Sequence, residues 1–92
     1  PPGVDTELSY RFALYGSLFL SNSADPQQTF RRLRNIYEVR SKLVHGSAVT
    51  SAKRERALED APELAKAIVL RAIEQGWPDK NELDELALNH KE

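Results

Sequence analysis

Apolar residues recur at helical spacing along nearly the whole chain. No stretch alternates with period two or has the β-branched richness that a strand needs. The pattern predicts an all-α fold, a bundle of four helices. The first helix is expected from about Asp5 to Leu20, capped by Asp5 or Thr6, with Glu7 and Arg11 one turn apart. Leu8, Tyr10, Phe12, Leu14, Tyr15, Leu18 and Phe19 make it apolar almost all round, as suits a helix buried on two sides. After a Ser21–Ala24 loop, Asp25 followed by Pro26 is an N-cap with proline at the first helical position. The second helix should then run through Leu33, Ile36 and Tyr37 to His45, where Gly46 can take the left-handed conformation that ends it. A third helix is expected from about Ala52 to Gln75, kinked or briefly broken near Pro62, which lacks the N–H a helix interior uses. Gly76, Trp77 and Pro78 end it, and Asp79 with Glu82 caps a last acidic helix to about Leu88.

At 92 residues the chain is one domain, 1–92. A start at Pro1 and the absence of methionine point to a fragment of a longer protein. Zero cysteines exclude a disulfide framework and thiol catalysis, and two isolated histidines, His45 and His90, leave no metal set. No phosphate loop, dinucleotide fingerprint or serine-hydrolase elbow is present, so no cofactor is expected. The apolar runs are far too short to cross a bilayer, and a soluble, cytoplasmic protein is the expectation. Tyr10, Tyr15 and Phe19, at helical spacing among leucines, are assigned to packing. Acidic residues Asp79, Glu82, Asp84 and Glu85 fit a helix start better than a calcium loop, and His90 falls in the tail.

Net charge is −1, but its distribution is uneven. Between Gln27 and His45, Arg31, Arg32, Arg34, Arg40 and Lys42 face the single acid Glu38, a local +4 that attracts phosphate. Projected at about 100° per residue, Arg40 falls in the apolar arc of the second helix with Leu33, Ile36, Tyr37 and Val44, while His45 lies about 140° away. An arginine in a buried stripe is costly unless its guanidinium reaches a carboxylate, a carbonyl, an anion or a wet cleft between subunits. Simpler accounts stand beside this one. A histidine in a last turn favours the helix dipole, and a part-buried arginine often spans a packing gap to an acid. Arg31, Arg34, Ser41 and Lys42 are the candidate RNA contacts, with an ordinary solvated face beside Glu38 as the alternative.

The run Tyr37-Glu38-Val39-Arg40-Ser41-Lys42-Leu43-Val44-His45-Gly46, an arginine followed after four residues by a histidine, resembles the signature of the HEPN superfamily. Its ApeA-like branch is similar in the helix end after a short loop and in the preceding Glu7-Leu8-Ser9-Tyr10-Arg11 segment. The resemblance spans roughly residues 5–75 and implies a homodimeric bundle in which Arg40 and His45 of both chains line one cleft and act as a metal-independent ribonuclease. It also implies a place in antiphage defence or regulation within a longer parent protein. The chain departs from the active pattern at Ser41, where Asn, Asp or His commonly follows the arginine, and has no tyrosine two residues beyond His45. A catalytically inactive RNA-binding, sensing or dimerisation module is therefore the alternative.

Overall fold

The computed structural model describes residues 2–91, with side chains for 6–82, 84, 85 and 88. Four helices follow in order: α1 Pro2–Phe19, α2 Pro26–Val44, α3 Ser51–Gln75 and α4 Lys80–Lys91. The candidate His90 side chain and the proposed Asp5 cap lie outside the described side chains.

Local chemistry sets most of the helix ends. Asp25 accepts the Gln28 N–H, and Pro26 opens α2 with the fixed φ that a first helical residue wants. At its other end the Ser47 N–H reaches the Lys42 carbonyl and the Gly46 N–H reaches Leu43, with Gly46 at φ 74°. That is the paired closure of a Schellman motif, and it fixes His45 as the last residue before the chain turns away. Thr50 caps α3 by accepting the Lys53 N–H, and Asp79 caps α4 by accepting the Glu82 N–H at 2.8 Å.

Two expectations are corrected here. The first helix begins at Pro2 rather than near Asp5, because proline costs nothing in a first turn whose N–H groups have no acceptor. Of the kink or short break expected near Pro62, the break is absent: Pro62 lies within one continuous helix, on an exposed face where water can serve the Leu58 carbonyl it leaves without a donor.

The helices pack unequally. The pair α1–α2 makes the main contact, α3 lies on α2 and barely touches α1, and α4 lies on α1. The molecule is accordingly flat, about 20 Å through its thinnest direction, the depth of two helix layers. Ala13, Phe19, Leu20, Leu33, Leu64 and Ala72 form the core, with Phe30, Ile36, Ala67 and Ile68 against it. Gly16 permits the close α1–α2 approach, since a Cβ there would meet Leu33 Cδ1 at 2.5 Å. Arg32 ties α2 to α3 through Asp60 and Glu63, each at 3.0 Å. The Tyr15 hydroxyl donates to Asp84 and ties α1 to α4. Beyond Gly76, at φ 84°, Trp77 stacks on Phe19 with ring centroids 6.1 Å apart.

Helix α1 is covered by α2 and by α4, but not all round. Leu8, Tyr10 and Phe12 remain exposed, because a two-layer arrangement covers only part of the helix circumference.

Candidate functional site

The second helix and its C-cap residue His45 carry every candidate residue, and the two sides of the helix face different surroundings. On the side toward α3, Val39 is buried, but Leu43 and Val44 beyond it stay exposed. An open apolar groove of about 340 Å³ remains, lined by Ile36, Val39, Leu43 and Val44 from α2 and by Ala57, Leu58 and Ala61 from α3. Among the described residues, Arg40 and Arg54 are the charged ones that line it.

Arg40 is exposed, which corrects the expectation of a cation within a buried stripe. The apolar arc is wider than the surface α3 can cover, so the last turn and a half of α2 stays open, with Leu43 55% and Val44 67% exposed. Arg40 makes no ion pair with any described residue. Its guanidinium is thus exposed and not paired with any described carboxylate.

On the opposite side, α2 forms a second groove with α1. Two depressions lie along it. The first, about 310 Å³, is lined by Tyr10, Leu14 and Ser17 from α1 and by Pro26, Gln27, Phe30 and Arg31 from the start of α2. The second, about 140 Å³, is lined by Thr6 and Ser9 of α1 and by Arg34, Tyr37, Glu38, Ser41 and Lys42 of α2. All four candidate RNA contacts, Arg31, Arg34, Ser41 and Lys42, therefore lie on one side of the α1–α2 pair. His45 is exposed at the end of the same helix and projects within about 40° of Arg34 and Ser41.

The arginine and the histidine of the motif are not brought together within one chain. Arg40 belongs to the α3-facing groove, whereas His45 continues the stripe of the α1-facing groove, about 140° around the helix. The neighbouring Arg32 takes no part in either groove. Its hydrogen bond to Asp60 raises its affinity for its proton, and Glu63 adds to the effect. Arg34 lies 3.3 Å from Glu38, an i,i+4 pair, yet its Nε is buried without a hydrogen bond, as is the Oγ of Ser9 in the same depression. The Nε of Arg71 on α3 is likewise buried and without a hydrogen-bond partner.

Among the described residues no group of histidine, cysteine or acidic side chains is placed to hold a metal ion, and no helix is long and apolar enough to cross a membrane. Compared with family models, curated proteins and solved structures, the chain matches none.

Sequence reasoning missed the open groove and the exposure of Tyr10. The signal was present in α3, where Leu58, Ala65, Val69 and Ile73 form a second apolar stripe outside its core-facing Ala57, Leu64, Ile68 and Ala72.

Proposed function

We propose that the chain is an HEPN-type RNA-directed domain that pairs with a second copy through its α2–α3 face and cleaves RNA without a metal. The observation that carries this reading is Arg40: a cation without an ion-pair partner among the described residues, at the edge of an apolar groove that its own chain leaves uncovered. Apolar surface of this kind favours association, and a second copy would enclose the two Arg40 side chains in one cleft.

The residue types supply the chemistry. The His45 imidazole can accept and donate a proton, and Arg40 offers a planar fork of donors to phosphate oxygens as negative charge builds. One His45 takes the proton from the RNA 2′-hydroxyl as it attacks phosphorus. The partner's His45 returns a proton to the departing 5′-oxygen, leaving a 2′,3′-cyclic phosphate and a 5′-hydroxyl.

The test is cleavage of single-stranded RNA in chelator by the wild type and by His45→Ala and Arg40→Ala. Loss of turnover in both variants with dimerisation intact is the expected result. Equal cleavage by His45→Ala, or none by the wild type, overturns the catalytic reading.

One observation favours a second reading, a non-catalytic RNA-binding, sensing or dimerisation module. Arg40 and His45 occupy different sides of α2, and Ser41 sits in the α1-facing depression rather than beside Arg40. A dimer that binds RNA without turnover would establish this reading.

A further inference from the structure

The groove between α1 and α2 has features that helix packing does not explain. Tyr10 is 39% exposed, meets Phe30 edge to face at 5.8 Å, and has Arg31 beside it in the larger depression. An aromatic surface next to a cation that makes no ion pair among the described residues is suited to a flat ring attached to an anion. Along α2 the cations continue at Arg34 and Lys42, set against the single carboxylate Glu38, for a net +2. Arg31 and Lys42 are eleven residues apart, about 16 Å along the axis. In the smaller depression Ser9 is 4% exposed and its Oγ is buried without a hydrogen-bond partner, while the Arg34 Nε lies 3.3 Å from Glu38 Oε1 in an ion pair. A polar group buried without a partner is uncommon and costly, and the Ser9 hydroxyl in this depression favours a ligand that brings a hydrogen-bonding oxygen to it.

We infer that this groove is a track for single-stranded RNA. One base seats against Tyr10 and Phe30, and the phosphates pass Arg31, Arg34 and Lys42 toward His45. The inference deepens the function proposed above and rests on it for the identity of the nucleic acid. Single strands are specified because a base must offer its face to the Tyr10 ring, and a duplex keeps its base faces stacked inside. The track is distinct from the groove that carries Arg40. It would deliver the strand to the imidazole from the opposite side of α2.

The experiment measures fluorescence anisotropy of a labelled 2′-O-methyl oligoadenylate, which lacks the nucleophile for cleavage, with the full chain. Tyr10→Ala and Arg31→Gln should each weaken binding about tenfold in protein that circular dichroism shows to be folded at the assay temperature, and Tyr10→Trp should restore it. Arg31→Gln and Lys42→Gln should each flatten the salt dependence by about 0.7 in log–log slope. An abasic strand of equal length should bind more weakly and be indifferent to Tyr10→Ala. If Tyr10→Ala and Arg31→Gln bind like the wild type while Arg40→Ala does not, the track is wrong and the RNA reading survives. If the variants behave as expected but RNA is never cut, the track stands and the catalytic reading falls. Binding of an oligoglutamate peptide in preference to the oligonucleotide would overturn both.

Discussion

Replacing Arg32 with methionine removes the clamp between α2 and α3 while keeping most of the side chain's length and apolar stem. The structure sets the size of the effect. Arg32 and Asp60 side chains are 28% and 13% exposed, and the Glu63 side chain is 69% exposed. The Glu63 arm therefore resembles a surface ion pair, worth about 0–1 kcal/mol. The Asp60 arm lies between that class and fully buried pairs, whose disruption costs about 3–5 kcal/mol. Asp60 Oδ2 is already buried without a partner, so losing Arg32 leaves both carboxylate oxygens unsatisfied. About 2 kcal/mol of destabilisation is expected, a fall of roughly 8–16 °C in melting temperature for a chain of this size. Most of that cost belongs to the stranded carboxylate. The double variant Arg32→Met with Asp60→Leu should recover more than half of it, which two-dimensional urea and thermal unfolding of the four proteins in the cycle would measure. If Arg32→Met costs less than about 0.5 kcal/mol, or if the double variant is less stable than either single one, the clamp account is wrong.

Two further substitutions probe the packing of α1. Gly16→Ala places a Cβ against Leu33 Cδ1, and Leu33 is too deeply buried to swing aside. Overpacking of about 1–3 kcal/mol should outweigh the gain of about 1 kcal/mol in helix propensity. In a Leu33→Ala background the same change should become stabilising, a sign reversal readable by denaturant midpoints. Tyr15→Phe removes the hydroxyl that donates to Asp84 at 3.0 Å and should cost about 1 kcal/mol at neutral pH. The Asp84 hydrogen bond, followed by burial, raises the Tyr15 pKa above its ordinary value of 10.0. The folded state thus holds this proton more tightly than the unfolded chain does. Its contribution is complete below pH 10 and is lost as pH rises through the raised value. Tyr15→Phe should show a shallower alkaline loss of stability, and identical slopes for the two proteins would refute the assignment.

The sequence by itself determined the helices and most of their ends, because those features depend on residues within a turn of one another. Asp25-Pro26 could open α2 and His45-Gly46 could close it whatever the helix packed against, and the structure has both. The charge pattern also exposed the concentration of cations on α2, but not their division of labour. Arg31, Arg32 and Arg34 are indistinguishable by type. The position of Asp60 and Glu63 on α3, some thirty residues away in the chain, makes Arg32 a structural clamp and leaves Arg31 and Arg34 to the α1 groove. Burial was decided by tertiary structure alone. An apolar arc says that a face can be covered, and only the placement of neighbouring helices says whether it is. Here α3 covers Val39 and leaves Arg40, Leu43 and Val44 open, and α1 leaves Tyr10 showing. The physical reason is that two helix layers cannot cover every apolar face of helices patterned on more than one side.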